Sequence, residues 1–432
     1  MVADYEVATD FATALERKHA SGTVRQRVLL ESARHWWYKV SFGERKIMNR
    51  TKLSRILVLW ALVLGAALAA PCALSQQKTP LRFGMAMPLT GSQSAYGLDF
   101  VEAARWAVAD INAKGGVNGH PLEMIVADTL ADPQAGISAA TRLINVEKVP
   151  LIVSAWSGVV KAVAPLVTRE KVLVLAAAGA PELAKLGDYV YTVLTLSDVE
   201  VSAIARYAHE KLGKKRAAVL YINNETGVGG ARAFRSAFEK AGGQVVAYEA
   251  YDAGASDFSG AVLKVRAANV DVIHIQGLIV DMPQVMAQIR QLGMTQLITS
   301  YSGGYSPKLI EQLGSALEPY MVTSMAPGVK DNPNVAGFIE RWQKTKGRVT
   351  NALPYTQYIY DSPYLVAELY KWTMQHNLPA TGENLRKAML AIKKFDFPMT
   401  GALEINEDHE VKKPVYLLVV EKGKFVPLAT VK

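Results

Sequence analysis

Residues 151–183 read LIVSAWSGVVKAVAPLVTREKVLVLAAAGAPEL. An apolar run, a tight turn at Ala155–Gly158, a helical stretch and a second apolar run follow one another, and a small-residue turn, AAAGAP, ends the unit. Strands without polar alternation, separated by a helix, indicate a parallel sheet covered on both faces. In such sheets ligands sit beyond the carboxyl ends of the strands. Both turns fall at that edge. Trp156, Ser157 and the backbone of Ala177, Ala178 and Gly179 are therefore expected to face one crevice.

The same alternation continues outward. LRFGMAMP (81–88) reads as the first strand, and a helix from Tyr96 to about Ala113 carries an apolar stripe through Phe100, Ala103, Ala104, Ala107, Val108 and Ile111. PLEMIVAD (121–128) is the second strand, and Asp132-Pro133 opens the next helix in cap-then-proline order. Thr195–Asp198 reads as a crossing between lobes. A second series follows: helices at 199–212, 228–241, 257–268 and 281–292, with strands at 216–222, 244–251, 270–277 and 296–302. PYMVTSM (319–325) is read as the return to the first lobe, followed by helices near 332–346, 356–375 and 382–394 and a closing hairpin. The expected fold is α/β: two doubly wound lobes with mainly parallel sheets, joined by a multi-segment hinge. The expected division is 76–197 plus 324–400 for lobe 1 and 198–323 plus 401–432 for lobe 2.

The net charge of +9 is spread unevenly, since residues 1–55 hold 11 Lys/Arg against 6 Asp/Glu. No dense basic run accompanies it, which argues against nucleic acid as a partner. Cys72 is the only cysteine, so an intramolecular disulfide or a cysteine-based zinc site is excluded. From Met48, a basic MNRTKLSR precedes the apolar ILVLWALVLGAALAA and a small-residue zone with Ala73 and Ser75. That is the pattern of an export signal at 48–75. The alternative, a retained anchor, wants about 20 apolar residues, and Pro71 ends this run early. Pro71 also spoils the small-residue pattern that lipid attachment at Cys72 needs. Residues 1–47 are read as an upstream mis-start or, alternatively, a short amphipathic extension.

LRFGMAMPLTGSQSAYG, AVADINAKGGVNG, DTLADPQAGISAATRLI and AAAGAPEL together resemble the periplasmic leucine/isoleucine/valine-binding proteins of ABC transporters, type I bilobal binding proteins. The likeness runs from about Leu81 to the C-terminus. It implies export to the periplasm, three hinge crossings, closure on a small solute, and delivery by a monomer to a membrane permease, with no cofactor. It also implies that Ser157 and the Ala177–Gly179 turn hold the α-carboxylate of a ligand. Independently, Ser157 stands at a helix N-terminus, where unpaired N–H groups favour an anion; the bland alternative is that it caps its own helix. Gly179 stands where the family has a threonine. Tyr96 matches an aromatic at the pocket mouth, with core packing as the alternative, and Trp156 is either a core lid or a stacking platform.

The second lobe departs further. Tyr301 aligns with the glutamate that holds the ammonium in amino-acid binders, while Thr226 and Leu278 align with pocket tyrosines. A desolvated ammonium without a carboxylate costs several kcal/mol. Unless Glu225 or Asp281 takes over, the ligand should be a carboxylate without an amino group, with an aromatic acid favoured and a branched-chain amino acid or amide as the alternative. Gly227-Val-Gly-Gly lacks the phosphate-loop pattern and reads as close helix–strand packing. The histidines never fall at metal-ligand spacing, and His274 reads as a core histidine. No G-x-S-x-G elbow supports a hydrolase. A ligand sensor for a signalling partner is the remaining alternative to transport.

Overall fold

Strands β3 (Leu151–Ala155) and β4 (Leu173–Ala177) are buried along their whole lengths, and their side chains divide between two cores. Leu151, Val153, Leu173 and Leu175 join a cluster with Phe83, Met85 and Phe100. Ile152, Val174 and Ala176 join another with Leu143, Val163 and Val167. Alternation of side chains across a strand covered on both sides produces this division. The computed structural model describes residues 78–278, 280–405 and 409–431. The expected export signal at 48–75, Cys72 and the 1–47 extension lie outside the described residues.

With β1 (Leu81–Met87), β2 (Leu122–Asp128) and β5 (Val190–Thr192), these strands make a five-stranded sheet in the order β2-β1-β3-β4-β5, every pair parallel. Its helices are α1 (Ser94–Ala113), α2 (Pro133–Asn145) and α3 (Ser157–Arg169). The α1 stripe is buried at Phe100, Ala103, Ala104, Ala107 and Ile111. Asp132 caps α2 by accepting from the Ala135 N–H at 2.9 Å.

The second series repeats the order. After α4 (Ser197–Glu210) come β6 (Arg216–Ile222), α5 (Glu225–Lys240), β7 (Gln244–Tyr251), α6 (Ser259–Ala267), β8 (Val272–Gln276), α7 (Met282–Gln291), β9 (Leu297–Ser300), α8 (Pro307–Leu313) and β10 (Tyr320–Ser324). The parallel run is β7-β6-β8-β9-β10, the counterpart of β2-β1-β3-β4-β5. β14 (Val415–Glu421) and β15 (Lys424–Val431) extend it as an antiparallel hairpin beside β10. PYMVTSM is thus a strand of the second sheet, and the chain leaves that sheet only after Ser324.

Between β10 and the hairpin lie α9 (Pro333–Lys346), α10 (Leu353–Gln375), α11 (Gly382–Ile392) and a small antiparallel sheet, β11 (Lys394–Phe397), β12 (Gly401–Ile405) and β13 (Val411–Lys412). We assign each segment to a lobe by the core that it joins. Tyr358, Leu365 and Tyr370 of α10 pack in the Phe83 cluster, and so do Phe395, Leu403, Ile405 and Val411. Residues 401–405 and 411–412, expected in lobe 2, are therefore assigned to lobe 1: β12 pairs with β11, β13 pairs with β12, and Leu403, Ile405 and Val411 turn into the first core. The crossings become Val193–Leu196, Met325–Pro327 and Lys413–Pro414.

One carboxylate ties the hinge together. Glu200 of α4 is fully buried and accepts from the Thr323 hydroxyl at 2.6 Å, the Ser302 hydroxyl at 2.9 Å and the Ser302 N–H at 3.2 Å. The Ser302 hydroxyl also lies 3.2 Å from the hydroxyl of Tyr355, on α10. Burial pushes the Glu200 carboxyl up to about 7, although these donors pull it the other way. An unfolded glutamate titrates near about 4.3, so the folded state keeps a proton that the unfolded chain has released. Stability is then complete below that value and falls as pH rises toward 7. Asp361, raised by burial to about 7, contributes with the same sign. Differential scanning calorimetry should show a falling Tm over this interval. Glu200→Gln should flatten the slope by up to about 1.4 kcal/mol per pH unit; an unchanged slope would place the proton uptake elsewhere.

Candidate functional site

Equal strand orders put equivalent loops at the carboxyl edge of each sheet, around the points where the winding reverses between β1 and β3 and between β6 and β8. From the first lobe these loops carry Tyr96, Ser157 and the turn after β4. From the second they carry Thr226, Leu278, Asp281 and Tyr301.

Ser157 is 6% exposed and is the first residue of α3. Its hydroxyl accepts the Ala180 N–H at 3.1 Å and shares a hydrogen bond of 3.0 Å with the Thr226 hydroxyl from the second lobe. It does not cap its own helix; Trp156 holds the cap position and makes no side-chain cap bond. Ala177 and Ala178 are buried beside it, and the Gly179 carbonyl accepts the Ser197 N–H at 2.8 Å. Ala180, one residue beyond the expected turn, thus supplies the amide that reaches Ser157.

Thr226 is the second residue of α5, whose cap is Asn224, accepting from Gly227 N–H at 2.8 Å. The Gln276 side-chain amide reaches the Thr226 carbonyl at 3.5 Å, and its oxygen lies 3.1 Å from His274 Nε2. His274 Nδ1 lies 3.1 Å from the Thr299 hydroxyl. A buried polar chain therefore runs from the second core through Thr226 to Ser157. His274 is a core residue, stacked on Phe234 at 4.1 Å, and burial lowers it to about 3, so the ring is neutral. The glycines of α5 are packing positions: a Cβ on Gly227 would lie 1.8 Å from the Ile222 carbonyl oxygen.

The two carboxylates that could replace the missing glutamate have separate fates. Glu225 sits at the rim, 3.9 Å from Lys161 of α3, with both side chains substantially exposed. Asp281 is 6% exposed and precedes α7 without capping it. Its carboxylate accepts only a long bond, 3.4 Å, from the Leu278 N–H. Burial raises it to about 6. Its charge, after burial, raises the phenols of Tyr251 and of Tyr96, the latter on the opposite lobe, and contributes at Tyr301. Tyr301 is buried near Tyr355 and Glu200, with its ring against Gly303. Leu278 is half-buried against the second-lobe core. Trp156 packs on Phe100 at 5.9 Å and holds φ +66°, ψ 118°, a strained backbone for a bulky residue.

The sequence model of the family described as "Periplasmic binding protein" matches residues 80–424. The chain belongs to that family. A Leu/Ile/Val-binding protein of Citrobacter freundii is 30% identical over 266 residues, 60% of this chain and 72% of the relative. The crystal structure of a leucine-binding protein from Thermotoga maritima is similar at a TM-score of 0.73 and 26% identity, covering 81% of this chain and 98% of that one. An ABC-transporter solute-binding protein from R. palustris, solved with 4-hydroxybenzoate, shares the fold at a TM-score of 0.73 and 20% identity, covering 82% and 97%. This periplasmic binding protein is thus a solute-binding receptor of the ABC-transporter kind, with binding proteins rather than enzymes as its homologues. Among the described residues no group of three or more His, Cys, Asp or Glu is placed to hold a metal.

Sequence reading missed Tyr251, Ser197 and Gln276. Tyr251 and Ser197 carry buried hydroxyls without a hydrogen-bond partner. Tyr251 ends β7 at the carboxyl edge, which was the one available signal. A cavity of about 650 Å³ lies apart from this crevice, between two hinge crossings, with Asp396, Thr400, Lys413 and Tyr416 in its wall.

The cross-lobe hydroxyl pair can be tested alone. Thr226→Val should lower the free energy of urea unfolding by about 0.5–1.5 kcal/mol, whereas Lys161→Ala at the exposed rim should cost no more than about 1 kcal/mol. Equal stability of Thr226→Val and wild type would show that the pair contributes nothing.

Proposed function

We propose that this chain is exported, closes its two lobes on a small carboxylate-bearing solute without an amino group, an aromatic acid being the favoured class, and delivers it to the permease of an ABC importer. The observation that carries the reading is the Ser157 hydroxyl beside the Ala180 amide at the mouth of α3, with the second lobe's Thr226 against it. A carboxylate at that place meets a hydroxyl, main-chain amides and the positive end of a helix, the groups that stabilise an anion without a counter-cation. Tyr301 in place of a glutamate, and the rings of Tyr96 and Trp156, support an apolar, flat ligand body. Binding of 4-hydroxybenzoate by the R. palustris protein is consistent with the fold accommodating such acids. Bound ligand stabilises the closed arrangement through its differential affinity for it.

The second reading, a branched-chain amino acid, is favoured by the Leu/Ile/Val-binding relatives and by the buried Asp281, a carboxylate available to an ammonium. A thermal-shift series separates the two. Benzoate-like acids should raise Tm more than leucine at equal concentration, because the shift follows ligand concentration over Kd. The reverse order would establish the amino-acid reading. Under the first reading Ser157→Ala should weaken benzoate binding by roughly 1–3 kcal/mol in calorimetry; unchanged affinity would remove the anion site.

A further inference from the structure

Asp281 is an unusual residue to find at the wall of a site that receives an acid. It is buried, it does not cap the helix that it precedes, and among the described residues its side chain has only one hydrogen bond, the long one from Leu278 N–H. No cation acts on it among the described residues. A carboxylate left in that condition has unused acceptor capacity. Near it, Tyr251 is 7% exposed, yet its hydroxyl has no hydrogen-bond partner among the described residues. That hydroxyl occupies space that only a glycine leaves open, since a Cβ on Gly277 would lie 2.2 Å from the phenolic oxygen. Two polar groups are therefore buried together with their hydrogen-bonding capacity unspent. Folded proteins pair most such groups, because an unpaired buried polar group is costly.

The position in the fold says what is missing. Asp281 follows the third strand of the second sheet as Ser157 follows the third strand of the first, so the two lie on opposing lobes at equivalent edges. After burial, the charge of Asp281 contributes to raising the phenol of Tyr96 on the first lobe. We propose that Asp281 is a specificity-determining residue that accepts a hydrogen bond from a hydroxyl on the far end of the ligand, so that the preferred solute is a hydroxylated aromatic acid with its carboxylate toward Ser157. Tyr251 flanks that hydroxyl as a second partner. The inference rests on the carboxylate-binding reading above and adds a second recognised group to it.

Calorimetry with benzoate, 4-hydroxybenzoate and 4-methoxybenzoate tests it, since the methoxy acid keeps the bulk and removes the donor. Wild type should bind 4-hydroxybenzoate roughly tenfold or more tighter than benzoate, as a hydrogen bond to a buried charge implies, and 4-methoxybenzoate no tighter than benzoate. Asp281→Ala should abolish that advantage, read as the ratio of 4-hydroxybenzoate to benzoate affinity within the variant. Asp281→Asn, which keeps the shape and a neutral acceptor, should reduce it in part, and Tyr251→Phe should reduce it less; these two variants decide the matter if Asp281→Ala does not fold. A hydroxyl that confers no advantage, or one whose advantage survives the Asp281 variants, overturns the inference while the carboxylate reading stands. Failure of all three acids to bind wild type overturns both.

Discussion

A single buried oxygen sets the geometry of the crevice. The Ser157 hydroxyl takes a main-chain N–H from its own lobe and meets the Thr226 hydroxyl from the other. Neither neighbour is dispensable in a site closed to water, because a hydroxyl buried without partners costs more than its hydrogen bonds return. The Ser157–Thr226 bond ties α3 of the first lobe to α5 of the second at this edge. Under the proposed function, a ligand carboxylate arriving here competes with Thr226 for the same donors. Closure and ligand recognition would then draw on one set of groups, and binding energy would favour one arrangement of the lobes.

Behind that contact, the second lobe supports Thr226 through a neutral histidine and a glutamine rather than through charge. Full burial keeps His274 uncharged, so the chain from Thr299 to Ser157 places no net charge in the crevice. The acidic groups lie further along: Asp281 at the wall and Glu200 in the hinge, both with raised affinity for protons because burial outweighs their few donors. The first lobe offers hydrogen-bond donors and the second offers acceptors. Under the proposed function, a solute recognised by both has an anionic end and a donor end.

Much of this was legible in the sequence, and the losses have physical causes. The β3–α3–β4 stretch gave the doubly covered sheet because strands buried on both faces need continuous apolar runs, and the strand-and-helix alternation carried the second lobe equally well. Residues 401–405 and 411–412 join the first core against the sequence expectation because β12 and β13 are short and are held in a chain of pairing, β11 to β12 to β13, and by a distant core, neither of which leaves a local signature. Glu225 and Asp281 are the same kind of group just past a strand end, and only loop geometry turns one to the rim beside Lys161 and buries the other. The positive φ of Trp156 was invisible for the opposite reason, since bulky residues are the least expected there. The amide that Ser157 accepts lies one residue past the expected Ala177–Gly179 turn, at Ala180.

Amide chemical shifts report the central contact most directly. In ¹H–¹⁵N spectra of the isotope-labelled protein titrated with benzoate, the amides of Ala178, Gly179 and Ala180 should shift saturably, together with those around Thr226 on the facing lobe. Shifts confined to the hinge cavity around Thr400 and Lys413, with the turn after β4 unmoved, would contradict a solute held between the lobes at Ser157.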